Sequence, residues 1–135
     1  MTVNNSLDYA LATMNVKHQG VYAFVSLDEI PEGVEPFAVV REFEGKTVVL
    51  SEDRAIAAGL PVDTRYVRLS IDTPQSLETI GLAAMIAQSL AARSIICNIL
   101  AGFHRDHIFV QVEKAAEAEE ILNDLKEQAR GWLPN

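Results

Sequence analysis

The sequence has one cysteine, no run of basic residues and no long uninterrupted apolar segment. A single cysteine excludes an intrachain disulfide, and the position of Cys97 inside the apolar stretch SIICNIL indicates a small buried side chain rather than a reactive thiol. The formal net charge is −8 at pH 7, and the densest charge cluster, Glu113 to Glu127, is acidic. This balance disfavours partners that need a basic protein face, namely nucleic acids and anionic membrane surfaces.

The sequence also shows neither a signal-peptide pattern nor a segment typical of a membrane-spanning helix. The longest apolar helical candidate is interrupted by Gln88, Ser89 and Arg93, so it is not expected to span a membrane. The first residues, MTVNNSLDYA, are polar and lack the apolar core of a signal peptide. We therefore expect a soluble cytoplasmic protein. Its 135 residues, 49% of them hydrophobic, suffice for one compact domain or two very small ones that share a core.

Two similar successions of strands and helices are predicted along the chain, because β-branched runs alternate with helical spacing and turn residues. The first half predicts a short helix that Ser6 can cap, a strand at 20–27, a loop at 28–36, a hairpin of 37–43 and 46–50, and a helix at 52–59 capped by Ser51. The second half predicts a strand at 65–71, a helix from Thr73 or Ser76 to about Arg93, strands at 94–103 and 107–113, and an amphipathic helix at 115–133.

The boundary between the two halves is best placed at LPVDT, residues 60–64. This gives an N-terminal half of residues 1–64 and a C-terminal half of residues 65–135, the second with the order β-α-β-β-α. Such an order predicts an α+β fold, with a mainly antiparallel sheet and helices on one face. The acidic face of the last helix is interpreted as solvated.

The stretch AGFHRDHIFV contains the most conspicuous polar cluster, with His104, Asp106 and His107 in four positions. These are metal-ligand or acid–base side chain types. However, successive strand residues point to opposite faces, so Asp106 and His107 should diverge, and no HExxH or CxxC spacing supplies further ligands. We therefore expect no metal and no cofactor, and interpret His104 and Arg105 as an exposed hairpin turn.

Other catalytic and phosphate-binding signatures are not found either. The chain has no GxSxG elbow, no GxGxxG and no GxxxxGK[ST] motif. Gly81 is predicted to lie inside the second-half helix, where it indicates either close helix–strand packing or close approach of a ligand. The N-terminus of that helix could bind an anion such as a carboxylate, although every helix has such an end.

One long motif run resembles a known family. The stretch SLETIGLAAMIAQSLAARSIICNILAGFHRDHIFVQVE, residues 76–113, resembles the ACT-like domains of the DUF2241, or ACT_3, family of small bacterial proteins. The positions that carry the resemblance are Ser76, Leu77, Glu78, Gly81, Leu82, Asn98, Ala101, Gly102, Phe103, Asp106, His107, Ile108, Phe109 and Val110. The strands GVYAFVSL and REFEGKTVVL also fit, so the resemblance covers about residues 7 to 128.

The resemblance implies a ferredoxin-like ACT fold with two tandem ACT-like halves, and a ligand, usually an amino acid, at an interface between ACT units. Carried over to this chain, the implied ligand-binding residues are Ser76, Ile80, Gly81 and Leu82, with Asn98, Asp106 and His107 after them. One departure is that many ligand-binding ACT domains have Asp-x-Pro-Gly in the first loop, where this chain has Asp72-Thr73-Pro74-Gln75. Gln75 replaces the glycine that lets a ligand approach the backbone.

Three functions are consistent with these observations. The first is a non-catalytic regulatory module, expected to be a homodimer, that binds an amino acid or a similar small molecule. The second is a structural or protein-interaction module that acts through oligomerisation and has no small ligand. The third is an enzyme that uses the cluster of His104, Asp106 and His107, for which the sequence supplies no supporting motif.

Overall fold

A computed structural model describes residues 7–73 and 80–133, which form six strands and four helices. The strands are β1 (Asn15–Leu27), β2 (Ala38–Glu42), β3 (Gly45–Ser51), β4 (Arg65–Asp72), β5 (Asn98–Ala101) and β6 (Asp106–Val110). The helices are α1 (Leu7–Thr13), α2 (Glu52–Ala57), α3 (Leu82–Ala91) and α4 (Ala115–Trp132). A single 3₁₀ turn, Val112–Lys114, leads into α4.

The six strands form one antiparallel sheet in the order β2-β3-β1-β4-β6-β5. A short turn joins β2 to β3 and β5 to β6 as antiparallel hairpins, and β2 and β5 are the edge strands in this order. Strand β4 is buried at Val67, Leu69 and Ile71, the alternate positions that strand geometry places on one face. The predicted α+β class with an antiparallel sheet is therefore confirmed.

The chain forms two compact units, which we name by their place in the sequence. The inner unit is the middle segment (Gly20–Val67), and the outer unit joins the two ends (Met1–Gln19 with Arg68–Asn135). This grouping differs from the predicted halves, because residues before Gly20 belong with the C-terminal part of the chain. The physical reason is helix packing: α1 packs extensively on α4 within the outer unit, and Leu11 and Met14 are fully buried. The division into ACT-like halves of residues 1–64 and 65–135 stays a prediction.

Strands β1 and β4 each contribute residues to both units. In the outer unit, β1 lies next to β4, followed by β6 and β5, and the Gln19 amide donates a hydrogen bond to the Ser70 hydroxyl at 3.1 Å. In the inner unit the order is β2-β3-β1-β4, and the Phe24 amide donates to the Thr64 carbonyl at 2.8 Å. The two units therefore have equivalent four-strand orders: the outer unit has β1-β4-β6-β5, and the inner unit, counted from its other edge, has β4-β1-β3-β2.

Each unit has its own apolar residues packed between sheet and helix. The core of the inner unit consists of Ala23, Val25, Val48, Leu50 and Ala55. In the outer unit the buried residues include Leu69, Ile71, Leu82, Ile86, Leu90, Ile108, Val110 and Leu122. Helix α3 contributes Leu82, Ile86 and Leu90 to this core, at the spacing of one helical face.

Some element ends differ from the predictions. Gly81 does not lie inside a helix; it is the N-cap of α3, with a left-handed backbone (φ 88°) that glycine adopts without steric cost. Trp132, the last residue of the amphipathic helix α4, is 63% exposed rather than packed in the core. Strand β1 begins at Asn15, five residues before the predicted strand, because its polar start (NVKHQ) has no apolar alternation. By contrast, the predicted cap of α2 is confirmed, since the Ser51 hydroxyl accepts from the Arg54 amide.

Candidate ligand site

The β5–β6 hairpin positions the polar cluster of AGFHRDHIFV. Its turn closes where the Gly102 amide donates to the Arg105 carbonyl at 2.9 Å, and a Cβ atom at Gly102 would lie only 2.8 Å from that carbonyl oxygen. His104 and Arg105 are exposed in the turn, and β6 begins at Asp106. The predicted exposed turn and strand start therefore agree with the structure.

Asp106 has a side chain that is only 4% exposed to solvent. Within residues 7–73 and 80–133, its carboxyl group has no hydrogen-bond or ion-pair partner. Burial raises the pKa of this carboxyl above its usual value, because the charged form loses hydration and gains no compensating charge. A buried carboxyl group in this state favours the approach of a cation or a hydrogen-bond donor.

His107 is half-buried and pairs with a cation. Its Nδ1 atom accepts a hydrogen bond from Nε of Arg68 at 3.2 Å. Burial, together with the positive charges of Arg68 and Arg105, lowers the pKa of His107 to about 4. The imidazole is therefore neutral near pH 7 and acts as a hydrogen-bond acceptor toward Arg68.

The end of β4 lies beside the start of β6. Nε of Arg105 and Oδ1 of Asp72 lie 3.7 Å apart as a solvent-exposed ion pair, so the hairpin turn lies next to the last residue of β4. The following residue, Thr73, is buried with 5% exposure. Asp106 therefore lies at the end of the sheet where the chain leaves β4 toward α3.

The start of α3 contains three of the predicted ligand-binding residues, and they are in different environments. Ile80 is 90% exposed, whereas the Leu82 side chain is 1% exposed and belongs to the core, which leaves only its backbone available to a ligand. Gly81 caps the helix without a side-chain acceptor, and its carbonyl accepts from the Met85 amide at 2.9 Å. Ser76, the first predicted binding residue, lies outside the described residues.

Asn98 is not brought together with Asp106. It is exposed at the first position of β5, opposite Phe109, whereas Asp106 lies opposite Ala101 at the other end of the hairpin. Three strand residues separate the two positions, which corresponds to about 10 Å. Cys97, next to Asn98, is half-buried, and burial raises its pKa to about 11, so it is a neutral thiol as its apolar context predicted.

Sequence reasoning missed Arg68 as part of this region. The signal was present in the strand RYVRLSI, because alternation places Arg68 and Ser70 on the face opposite Val67, Leu69 and Ile71. The partner, His107, could not be deduced, since it is 39 residues away in the sequence. In the described part of the chain, no three His, Cys, Asp or Glu side chains are grouped so that they could hold a metal ion.

Comparison with known proteins gives a family and a fold. The ACT_3 family, described as an ACT domain, matches residues 4–67. The crystal structure of VC0802 from Vibrio cholerae is 34% identical in sequence, with a TM-score of 0.78, and the match covers 89% of this chain and 95% of VC0802. The chain belongs to the ACT_3 family. VC0802 itself is described as a protein of unknown function and a possible transport protein.

More distant structures share the fold of this ACT_3 protein. Atu0741 from Agrobacterium tumefaciens is 18% identical, with a TM-score of 0.64 over 84% of this chain and 89% of its own. The regulatory subunit of aspartate kinase from Thermus flavus is 10% identical, with a TM-score of 0.56 over 83% of this chain and 95% of its own. No curated protein matches the sequence. Among the described helices, none is long and apolar enough to cross a membrane.

Proposed function

We propose that this ACT_3 protein is a regulatory module that binds an amino acid and has no catalytic group of its own. The support is its ACT family membership, together with the ACT fold that it shares with the regulatory subunit of an aspartate kinase. The ligand would lie where the chain leaves β4 and enters α3, with Asp106 as the residue that selects it. The tandem ACT-like halves belong to this proposal and are supported by the repeated four-strand order.

The observation that carries the proposal is the buried carboxyl group of Asp106. A ligand ammonium group would supply the positive charge that the described side chains do not offer, and a charge-assisted hydrogen bond of this kind is among the stronger polar contacts. The backbone N–H groups in the first turn of α3, which Gly81 leaves without a side-chain cap, would donate hydrogen bonds to the ligand carboxylate. The two charges of an amino acid would thus be matched by Asp106 at the start of β6 and by the first turn of α3.

A thermal-shift panel of the twenty amino acids tests the proposal. A ligand present at 100 times its Kd should stabilise the protein by about 2.7 kcal/mol, which is readily measured as a rise in Tm. The substitution Asp106→Asn should abolish the shift, because an amide attracts an ammonium group far less than a carboxylate does. The matched control is Asp63→Asn, since Asp63 is exposed and the shift should persist. A panel that moves nothing, or a shift that survives Asp106→Asn, would contradict the proposal.

A second candidate function, a protein-interaction module that forms a homodimer, is favoured by two exposed phenylalanines. Phe43, at the tip of the β2–β3 hairpin, is fully exposed, and Phe103, in the β5–β6 turn, is 81% exposed. Each therefore presents apolar surface at an edge of the sheet. Sedimentation of the protein and of the variant Phe43→Ser with Phe103→Ser tests this candidate. A monomer at all concentrations would argue against it.

A further inference from the structure

Strand β5 forms one edge of the sheet, and its hairpin turn determines which of its backbone groups face outward. The Gly102 amide donates to the Arg105 carbonyl, so these two residues are a hydrogen-bonded pair, and such pairs alternate with non-hydrogen-bonded pairs along an antiparallel ladder. The even-numbered residues of β5 therefore bond to β6. The N–H and C=O groups of Ile99 and Ala101 point away from β6, toward a side on which no described strand lies.

This outward edge lacks the charges and prolines that usually keep an edge strand from pairing with another chain. Residues 94–103 (SIICNILAGF) contain no charged residue and no proline, although the chain has a net charge of −8. The nearest charged side chains, Arg93 and Arg105, are each paired with a carboxylate of the same chain. The other edge strand, β2, instead exposes Arg41 and Glu42. Two copies of this acidic chain can therefore meet at β5 without bringing like charges together.

The outward backbone groups of this edge are complementary to themselves. Cys97, which immediately precedes β5, has the same orientation as Ile99 and Ala101, because orientation repeats at every second strand residue. If a second copy pairs antiparallel about a two-fold axis at Ile99, Ile99 lies opposite the partner's Ile99, and Cys97 lies opposite the partner's Ala101. Every outward N–H and C=O group of the three residues then has a hydrogen-bond partner. An axis at Asn98 would instead require Ile95, which is buried and whose amide already donates to α3.

The side chains are compatible with the same pairing. On one face of the paired strands, Ile99 would contact the partner's Ile99 across the axis, as an apolar cross-strand pair. On the other face, Asn98 would lie opposite the partner's Leu100. Ile96, which is 48% exposed, would lie opposite the partner's Gly102, which has no side chain to compete for space. The pairing would therefore cover apolar surface as well as the open hydrogen-bonding groups of the edge.

We infer that β5 is the interface of a homodimer, in which the β5 strands of two copies pair antiparallel with the two-fold axis at Ile99. The occupant of the edge is a second copy of this chain, because the outward groups match about that axis and the surrounding segment is uncharged. The inference does not depend on the Asp106 ligand site. It rests on the second candidate function for the existence of a dimer, and it goes further by assigning that dimer to one strand and one register.

Amide hydrogen exchange of the full chain, followed by NMR at about 20 μM and about 1 mM protein, tests the inference. The Ile99 and Ala101 amides should exchange about tenfold or more slowly at the higher concentration, because only the dimer gives them acceptors. The Leu100 amide, which faces His107 in β6, should be protected at both concentrations. A protein that sediments as a monomer up to about 1 mM would overturn the inference and the second candidate function together. A dimer whose Ile99 and Ala101 amides exchange equally fast at both concentrations would overturn the inference alone.

A proline variant removes one outward group without removing a bond to β6. Ala101→Pro deletes the outward N–H, and an edge strand tolerates proline where the N–H faces solvent. The variant should raise the dimer Kd about tenfold or more, because each copy loses one hydrogen bond of the interface. Ala101→Ser is the matched control, since it keeps the N–H at the same exposed position and should change the Kd less than about twofold. Circular dichroism checks that both variants are folded, and equal Kd values for the two folded variants would contradict the inference.

A disulfide cross-link reports the register and does not depend on the proline variant. With the axis at Ile99, Asn98 and the partner's Leu100 form a non-hydrogen-bonded pair, whose Cα atoms lie about 4.5 Å apart, within the range that a disulfide bridges. In a Cys97→Ser background, the double variant Asn98→Cys with Leu100→Cys should form a covalent dimer on oxidation, whereas Asn98→Cys alone should stay monomeric on a non-reducing gel. A covalent dimer of the single variant, or none of the double variant, would show that the register is wrong.

Discussion

At the scale of single residues, Asp106 and His107 are neighbours whose pKa values move in opposite directions. Burial raises the pKa of the Asp106 carboxyl and lowers that of the His107 imidazole, so burial favours the neutral form of both groups. The two shifts have opposite effects on stability. The raised carboxyl pKa costs stability as pH rises through it, whereas the lowered imidazole pKa costs stability as pH falls.

The lowered pKa of His107 therefore predicts a loss of stability in mild acid. Its ordinary pKa is 6.5 and its folded pKa is about 4, so between these values the unfolded chain binds a proton that the folded chain does not. The free energy of unfolding should not depend on His107 above about pH 6.5, and it should fall as the pH is lowered from there toward 4. The full shift corresponds to about 3 kcal/mol, and partial exposure of the ring reduces this to about half.

Denaturant unfolding at a series of pH values from 7 to 4 measures this effect. The variant His107→Gln should lose the part of the slope that arises between pH 6.5 and 4. The variant His104→Gln changes an exposed histidine of the same hairpin and should retain it. If the wild type and His107→Gln have parallel pH profiles, the predicted role of this imidazole is wrong.

Gly102 supplies a steric prediction at the same scale. Because its Cβ would lie 2.8 Å from the Arg105 carbonyl oxygen, Gly102→Ala must distort the hairpin and should destabilise the protein by about 2 kcal/mol. Gly131, in α4, has open space around the same position, so Gly131→Ala should instead stabilise by about 0.5–1 kcal/mol through helix propensity. Thermal unfolding of both variants checks the opposite signs.

At the scale of helices and strands, the N-terminal helix belongs to the core of the outer unit. Leu11 is 2% exposed on α1, which packs against α4. Leu11→Ala should therefore reduce the free energy of unfolding by about 3 kcal/mol, the usual cost of removing a buried leucine side chain. Ile56→Ala makes a similar deletion on a helix at a 59% exposed position and should change stability by no more than about 0.5 kcal/mol. Equal losses in the two variants would contradict the assigned packing of α1.

Local patterns predicted most of these elements but not all of their ends. The β2–β3 hairpin, β4 and α4 were within about two residues of their predicted ranges, because alternation, turn glycine and amphipathic spacing all agree there. The polar start of β1 was missed, since its place in the sheet comes from pairing with β4 rather than from apolar periodicity. Strand β5 is shorter than predicted, because Ile95 and Ile96 belong to the loop that leaves α3.

At the scale of the whole molecule, the outer unit needs residues from both ends of the sequence. Its four-strand order includes the first residues of β1, and its helical layer includes α1. A fragment of residues 65–135 lacks both and should therefore be unfolded by circular dichroism and NMR, whereas the full chain unfolds cooperatively. A cooperative thermal transition of the isolated fragment would show that β1 and α1 are dispensable.

The candidate site was only partly predictable from the sequence, because some of its contacts depend on how the strands are ordered in the whole sheet. Asp106 was identifiable from the polar cluster of AGFHRDHIFV and from the family resemblance, and the predicted hairpin turn placed it at the start of a strand. The proximity of Asp72 and Arg105 and the pairing of Arg68 with His107 depend on which strands become neighbours in the sheet. No local pattern in the sequence specifies that order. Asn98 was grouped with the site only because the family resemblance implied it, and it lies about 10 Å from Asp106 along the hairpin.

The double membership of β1 and β4 also limits how the gene can change. The two crossings between units fall between Gln19 and Gly20 and between Val67 and Arg68, inside strands rather than in linkers. A recombination event at the sequence boundary near residue 64 would therefore separate each unit from one of its own strands. We therefore expect that neither half can be exchanged as an independent module, since each substitution in β1 or β4 acts on both units.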